Sequence, residues 1–435
     1  MRIELTEHGT VVDSAAACAA AAGMNFAELQ SHFAKLVDFV LQDGGSCLIQ
    51  SGACIGTLAL GDLTIHVKPR LAARELATMI RYALGAADPR QRAAIESSAA
   101  GLNELLALIL ADEAAAIQRI GISRHYIRRR ERLTVLRGRP DFTASFPWND
   151  GGMTSINCRY HELTYDNLDN QLLRRGLAHA TTLPISVEAR RQLLEHRQAW
   201  SSLASDIHPN RHDFIKARER YSRLSEHYRL AHHIVERLLF REAPGSFHDD
   251  APTATSGLVM NMAWLFERFV ERWLGQVMAH DGVTVQAQAV DRGAILDGEG
   301  NLYCEVRPDL VLFRECVPIA VVDAKYKTYW PADALGRPRR RIDNSDLYQL
   351  FFYGRRLQQR YGLAEPPAIA IVSPLPAGDE RGGDSILPPQ YRTITWRAGG
   401  EQCVLNLILL PLTDMLRAMA CGQPLSSSGG MITIP

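Results

Sequence analysis

Two aspartates and a lysine in the C-terminal half of the chain have the types and spacing needed for metal-dependent hydrolysis, with the carboxylates as ligands of a divalent metal ion. In the segment YCEVRPDLVLFRECVPIAVVDAKYKTY (303–329), Asp309 follows a proline, and one residue separates Asp323 from Lys325. Paired carboxylates suit Mg²⁺, which binds one or two of them together with water and substrate phosphate. A metal held there can activate water and neutralise a phosphodiester, while Lys325 orients the water or stabilises the developing charge.

The same segment has the outline of an antiparallel hairpin, because a short polar connection joins the β-rich runs VRPDLVLF and PIAVVDAKY. A hairpin that pivots about Cys316 places Asp309 directly opposite Asp323. Opposed residues share a face, with Cβ atoms about 4.5–5.5 Å apart, and strand alternation adds Lys325 to that face. Two adjacent carboxylates in an apolar sheet repel each other and lose hydration, so the sequence predicts a cation between them.

The alternative for this hairpin is an ordinary surface ion pair between aspartate and lysine. Only five of the 48 Lys and Arg residues are lysines, and Asp323-Ala324-Lys325 is the only acid-x-Lys sequence in the chain. Base composition of the coding genome best explains the arginine excess. A lysine that survives in such a chain is favoured as a functional residue.

Helices on either side of the hairpin carry further candidates. WLFERFVERWL places Glu267 beside an apolar helix face, where a solvated acid is the alternative to a site residue. SDLYQLFFYG places Gln349 and Tyr353 at i and i+4 on one helix face. Core packing is the alternative for that pair, above all for Tyr353.

The order of these motifs resembles the PD-(D/E)xK nuclease fold, and within it the RecB-like branch with a helical Gln/Tyr motif. The resemblance implies that Asp309 and Asp323 are metal ligands and that Lys325 is the catalytic lysine. It also implies that Glu267 holds a second metal or its water. In the same way, Gln349 and Tyr353 are expected to support the site or contact the DNA backbone.

Upstream segments are similar to the McrC subunit of McrBC-type restriction systems. They comprise a strand ending in Lys-Pro with the helix after it (63–84), an Arg-rich segment ending in R-G-R (121–142), and a D-x-x-x-N passage (158–177) with Asp166 and Asn170. With the nuclease motifs, the matches span most of the chain. Residues 1–45 resemble no known family.

This resemblance implies a Mg²⁺-dependent DNA endonuclease subunit, with one or two ions, in a GTP-driven complex that defends against phage and foreign DNA. Its N-terminal part is expected to dock into a McrB-like AAA+ GTPase ring and to stimulate hydrolysis there. The chain contains no G-x-x-x-x-G-K-[ST] phosphate loop, so GTP is expected to bind the partner. The substrate is expected to be double-stranded DNA, and the sequence leaves open whether modified cytosine is recognised.

Residues 119–139 hold the densest basic tract. A charged, solvated helix face is the default interpretation, and the alternatives are a phosphate-contacting surface or an arginine that reaches the partner's nucleotide site. Candidates for docking or activation are Arg137, Arg139 and, in its Lys-Pro context, Lys68. A second tract, RPRRR (337–341), precedes the Gln349 helix and is better placed to hold a DNA backbone. Its candidates are Arg339, Arg340 and Arg341.

Composition limits the other classes of function. The 48 basic residues balance 48 acidic ones, which argues against an overall polyanion binder. The eight cysteines form no C-x-x-C pair and no zinc-site spacing, as expected of a reduced chain. No basic segment precedes the N-terminal alanine run, and no apolar stretch reaches about 18 residues. The expectation is a cytoplasmic protein without a membrane span.

The order of the helices and strands expected to position these candidates predicts an α/β protein whose N-terminal part is α+β. Expected strands are 46–49, 55–60, 63–67, 284–290, 303–313, 318–326, 368–373 and 403–410. Expected helices are 74–84, 102–120, 166–182, 187–203, 214–240, 258–279 and 346–361. A stretch rich in Pro, Gly, Ser, Thr and Asp (242–257) marks a boundary. The expected domains are an α+β docking domain (1–105), a largely helical Arg-rich region (106–250) and a nuclease domain with a mixed sheet flanked by helices (251–435).

Two other functions remain open from the sequence. One is a RecB-like repair nuclease that acts on DNA without a motor ring. The other is an interaction protein that activates an ATPase or GTPase ring and whose nuclease site is vestigial.

Overall fold

The computed structural model describes residues 1–86, 101–142, 155–240, 256–296, 298–299, 301–327, 329, 342–375, 388–398 and 401–423. The strands are β1 (Arg2–Thr6), β2 (Thr10–Ser14), β3 (Val37–Leu41), β4 (Ser46–Ser51), β5 (Cys54–Leu60), β6 (Leu63–Lys68), β7 (His125–Leu133), β8 (Arg139–Pro140), β9 (Ile156–Thr164), β10 (Ser256–Asn261), β11 (Val283–Ala287), β12 (Asp291–Leu296), β13 (Leu302–Val306), β14 (Leu310–Arg314), β15 (Val317–Ala324), β16 (Ala368–Pro374), β17 (Gln390–Ala398) and β18 (Glu401–Leu410).

The α-helices are α1 (Ala15–Ala22), α2 (Phe26–Phe33), α3 (Ala73–Ala83), α4 (Leu102–Ile120), α5 (Leu168–Ala180), α6 (Val187–Ser201), α7 (Arg211–Glu219), α8 (Arg229–Phe240), α9 (Met262–Met278), α10 (Asn344–Tyr361) and α11 (Leu412–Ala420). Short 3₁₀ turns lie at Glu226–Tyr228 and Ala279–Asp281. The chain divides into two compact units, one formed by 1–102 with 241–435 and the other by 103–240. The sequence instead treats 1–105 and 251–435 as separate domains.

Strand β10 accounts for this difference within the first unit. It pairs antiparallel with β5 and completes a four-stranded sheet in the order β1-β6-β5-β10. The two backbones approach closely, since a Cβ on Gly56 would lie 2.1 Å from the Leu258 carbonyl oxygen. The helix predicted from residue 258 therefore begins later, at Met262, where the Asn261 side chain accepts the Ala263 N–H at 2.9 Å and caps it.

A six-stranded mixed sheet is the largest sheet of the first unit among the described residues. Its strand order is β11-β14-β15-β16-β18-β17, with β15, β16 and β18 parallel and the remaining pairs antiparallel. Strand β15 is buried from Ala320 to Ala324, as expected of a central strand with both faces covered. The apolar face of α10, including Leu350, packs into a cluster with Val321 and Ile371. The α/β class and the mixed sheet agree with the sequence prediction.

The expected single strand 303–313 is divided in the structure. Residues 302–306 pair with β12 in a separate two-stranded ribbon, and the chain joins the main sheet only at Leu310. Pro308 lies at the break and lacks the N–H that a ladder requires. Strand β17 and helix α11 were not predicted.

The second unit combines helices with a three-stranded sheet in the order β7-β9-β8. Here the interpretation of 119–139 as a helix face is wrong, because nine of these residues form β7 and pair with β9 from His125↔Thr164 to Leu133↔Ile156. The helix predicted over 214–240 is interrupted, with α7 ending at Glu219 and α8 beginning at Arg229.

The D-x-x-x-N passage has a structural function in this unit. Asn170 is fully buried, and its side chain donates to the carbonyls of Ser123 and Tyr165 and accepts from the Tyr228 hydroxyl at 2.7 Å. Asp166 accepts the backbone N–H of Ser205 at 2.7 Å. Both residues therefore hold loops against α5.

Among the residues that the structure describes, no helix is both long and apolar enough to cross a membrane.

Candidate active site

The β14–β15 hairpin brings the two predicted aspartates face to face. Its register pairs Leu310 with Val322, and one further step places Asp309 opposite Asp323. The turn consists of Glu315 and Cys316, with φ of 49° and 67°, so the hairpin does not pivot on Cys316 alone. An irregularity beyond the pair of Leu312 and Ala320 restores the register that the sequence predicted.

Asp323 is the most deeply buried carboxylate of the site. Its side chain is only 2% exposed, and neither carboxylate oxygen has a hydrogen-bond partner of good geometry. Burial first, then the Asp309 charge, raises its pKa to about 7, although Lys325 acts in the opposite direction. The Asp309 carboxylate is held from the neighbouring strand by the Ala324 N–H, which donates to Oδ2 at 3.1 Å. A cation between the two carboxylates would relieve both repulsion and desolvation.

Lys325 lies against this pair. Its Nζ is 2.9 Å from Asp323 Oδ2, and its backbone N–H donates to the Val372 carbonyl of β16 at 2.9 Å. Burial lowers the pKa of the ammonium, but Asp323 and then Asp309 and Asp346 raise it by more, so the net shift is upward. Lys325 is therefore protonated at neutral pH and suited to stabilising negative charge rather than to accepting a proton.

Glu267 is linked to Asp309 through Gln288. Its Oε1 accepts from Gln288 Nε2 at 2.6 Å, and the Gln288 N–H donates to the Asp309 carbonyl at 2.8 Å. Burial raises the pKa of Glu267, with a smaller contribution from the Asp323 charge. Within the described ranges no three His, Cys, Asp or Glu side chains are grouped so as to hold a metal, so the role of Glu267 as a ligand stays a prediction.

Gln349 and Tyr353 contact each other on α10. Gln349 Nε2 donates to the Tyr353 hydroxyl at 2.6 Å, and that hydroxyl lies 3.4 Å from the Arg307 carbonyl. Burial raises the pKa of Tyr353, and the charges of Asp323 and Asp309 add to the shift. Tyr353 therefore contacts the connection between β13 and β14 that leads into Asp309, and Gln349 remains exposed beside it.

A further acid on α10, Asp346, was missed by the sequence reasoning. It is 6% exposed, and its Oδ2 accepts from the buried Tyr329 hydroxyl at 2.5 Å. Its carboxylate also approaches Lys325 and Lys327, with Oδ1 3.9 Å from Lys325 Nζ and Oδ2 3.7 Å from Lys327 Nζ. The available signal was helical spacing, since Asp346 lies one turn before Gln349 and Leu350.

The remaining predicted residues lie outside this constellation. Lys68 Nζ is 2.6 Å from Glu4 Oε2, and Arg137 lies over the Tyr160 ring at 4.2 Å. Arg139 is exposed. Three further candidates fall outside the described residues, namely Arg339, Arg340 and Arg341.

This chain resembles known proteins in its family pattern and in its fold. A family model described as McrBC 5-methylcytosine restriction system component matches residues 49–363. One chain of a Thermococcus gammatolerans assembly, described as McrB AAA+ hexamers with bound McrC, is 17% identical, with a TM-score of 0.57 over 97% of this chain and 99% of that one. A chain of the McrBC complex from the same organism is 19% identical, with a TM-score of 0.45 over 64% of this chain and 88% of that one. No curated protein matches significantly. The first likeness shows a shared fold along nearly the whole chain.

Proposed function

The chain belongs to the family of McrBC 5-methylcytosine restriction system components, and from this membership and the fold it shares with a chain of a McrB–McrC assembly we propose that it is the McrC-type subunit, the DNA endonuclease of a GTP-dependent restriction complex. The proposed reaction is Mg²⁺-dependent hydrolysis of phosphodiester bonds in double-stranded DNA, in defence against phage and other foreign DNA. The proposed partner is a McrB-like AAA+ GTPase ring, which binds the GTP and whose hydrolysis this chain stimulates.

The observation that carries the nuclease proposal is that Asp309 and Asp323 lie opposite each other and that Lys325 forms an ion pair with Asp323. The Asp323 carboxylate, which is ion-paired with Lys325 and accepts no hydrogen bond of good geometry, and the facing Asp309 carboxylate match the oxygen donors that Mg²⁺ prefers. When bound, Mg²⁺ would supply charge neutralisation at the phosphate and a water of lowered pKa. The same arrangement is what the PD-(D/E)xK resemblance leads one to expect.

The protein's own side chains would then complete the chemistry. Asp309, directly before β14, and Asp323, near the end of β15, would hold the ion. Lys325, protonated and partly shielded from solvent, orients the attacking water or stabilises negative charge on the phosphate. Gln349 is exposed next to the site and is available to contact the DNA backbone.

The test is cleavage of methylated and unmethylated double-stranded DNA by the protein reconstituted with a McrB-like partner, Mg²⁺ and GTP. Asp323→Ala should abolish cleavage, while Glu315→Gln at the exposed tip of the same hairpin should not. Unchanged cleavage by Asp323→Ala would contradict the site assignment. Digestion of linear but not circular DNA by the isolated protein would favour a repair nuclease, and partner stimulation without any cleavage would favour a pure activator.

A further inference from the structure

We propose that Asp346 is a positioning residue for Lys325, an inference that rests on the nuclease function proposed above. Asp346 is one of few buried acids in the C-terminal part that the structure describes, and its carboxylate faces the Lys325 ammonium from α10. Its two carboxylate oxygens have different neighbours. Oδ2 accepts from Tyr329 at 2.5 Å, which leaves Oδ1 towards Lys325, at 3.9 Å from Nζ.

The surrounding fold fixes where this carboxylate lies. Asp346 belongs to the first turn of α10, and its N–H donates to the Asp343 carbonyl at 3.0 Å. One turn later, Leu350 is fully buried in the core against β15 and β16. Tyr329, also fully buried, orients the carboxylate from the other side. The acid is therefore held by a helix, a core residue and a hydrogen bond before any ligand binds.

Lys325 consequently has anionic neighbours on two separate elements. Asp323 lies at the end of β15, two residues before Lys325 and with 2.9 Å between the charged atoms, and Asp346 lies on α10. A cation bound by Asp309 and Asp323 would share the Asp323 charge and repel the ammonium, which weakens that ion pair. Asp346 stands on another element and retains its charge for Lys325. It keeps the ammonium beside the reacting phosphate when the metal site is filled.

Lys327 completes the arrangement and supplies a matched control. Its Nζ is 2.9 Å from Asp343 Oδ2 and 3.7 Å from Asp346 Oδ2. Of the two lysines, Asp343 therefore pairs only with Lys327, whereas Asp346 approaches both Lys325 and Lys327. Asp343 is also exposed, so its substitution removes a nearby carboxylate without removing the one that faces Lys325.

The experiment measures steady-state DNA cleavage by the reconstituted complex for Asp346→Asn and Asp343→Asn. Asp346→Asn should lower kcat by about tenfold or more with KM for DNA nearly unchanged, because a positioning defect acts in the transition state. Asp343→Asn should stay within about threefold of the wild type. Asp346→Glu should recover part of the loss. Thermal unfolding of each variant, and Mg²⁺ titration followed by tryptophan fluorescence, should show intact folding and unchanged metal affinity.

A double-mutant cycle with Lys325→Ala distinguishes positioning from general support of the fold. Once Lys325 is absent, Asp346→Asn should reduce the residual cleavage no further. Equal losses in both backgrounds, or wild-type kcat in Asp346→Asn, would overturn the inference. Should Asp346→Asn prove unstable, Tyr329→Phe carries the test, since it keeps the charge and removes only the orienting hydroxyl; a smaller fall in kcat is expected. Inactive wild type would instead contradict the proposed function.

Discussion

The hydroxyl of Tyr326 donates a 3.0 Å hydrogen bond to the carboxylate of Glu7, which lies 319 positions earlier in the chain. Glu7 has no exposed surface, and its Oε1 also accepts the Arg70 N–H at 3.1 Å, while Oε2 has no hydrogen-bond partner. Tyr326 stands directly after Lys325. The buried Glu7 carboxylate, which directly follows β1, thus joins the segment after the Lys68-Pro69 pair to the segment after β15 that carries Lys325.

We expect Tyr326→Phe to destabilise the protein by about 1–3 kcal/mol at neutral pH, because it removes a donor from an already under-satisfied buried carboxylate. Burial raises the pKa of Glu7, so the loss should shrink under acidic conditions, where the carboxyl is neutral. Urea unfolding of the metal-free protein at several pH values measures both effects. Tyr348→Phe is the control, since that side chain is 72% exposed. Equal stability of the two variants would argue against the Glu7 contact.

A second prediction concerns pH and the buried carboxylate of Asp323. Its pKa is raised from 3.8 to about 7 in the folded protein, so its contribution favours folding at low pH and is lost as pH rises through about 7. In EDTA, Asp323→Asn should therefore melt at a higher temperature than wild type at pH 8, with the difference vanishing near pH 4. At about 1.4 kcal/mol per pKa unit, the gain is at most about 4 kcal/mol.

Added Mg²⁺ should reverse this comparison. A cation that binds only the folded state raises the melting temperature with its concentration, and this should occur for wild type and not for Asp323→Asn. A wild-type protein whose melting temperature does not respond to Mg²⁺ at pH 8 would speak against a metal site at Asp309 and Asp323. The measurement needs neither DNA nor the partner.

The opposition of Asp309 and Asp323 could be predicted from the sequence by assuming a hairpin that pivots about Cys316. The turn actually uses two residues, Glu315 and Cys316, both with positive φ. A single irregularity in β15 then compensates for it. Such an irregularity has no clear sequence signal, so the correct pairing follows from two local deviations that cancel.

Other features depend on contacts that a local pattern does not contain. Strand 256–261 looks helical because its apolar residues run directly into α9, and only its partner β5, about two hundred residues earlier, makes it a strand. Strand β7 is also missed by a local pattern, because most of its residues are charged and it therefore lacks the alternation of apolar and polar residues that predicts a strand. In the sequence, Asp346 cannot be distinguished from a solvated helix acid, because only the fold places Tyr329 and Lys325 beside it.

A third prediction concerns the side-chain type at position 325. Lys325→Arg keeps the charge in a chain that otherwise prefers arginine, yet it should lower kcat by at least about tenfold. A planar guanidinium is larger than an ammonium and distributes its charge, so it cannot occupy the same position 2.9 Å from Asp323 Oδ2 and between two carboxylates. Single-turnover cleavage measures the effect, with Lys216→Arg on the helical surface of α7 as control. Full activity of Lys325→Arg would mean that only charge matters there.

The last prediction separates the candidates for stimulating the partner. Lys68 is neutralised by Glu4 at 2.6 Å, and Arg137 is engaged by the Tyr160 ring, whereas no ion pair of Arg139 is found in the described part of the chain. An uncompensated, exposed guanidinium is the better ligand for a phosphate or an acidic group on another protein. Arg139→Ala should therefore lower stimulation of partner GTP hydrolysis by more than Lys68→Ala does. Hydrolysis rates at several salt concentrations provide the measurement, and loss of DNA binding with unchanged GTP hydrolysis would assign Arg139 to the DNA backbone instead.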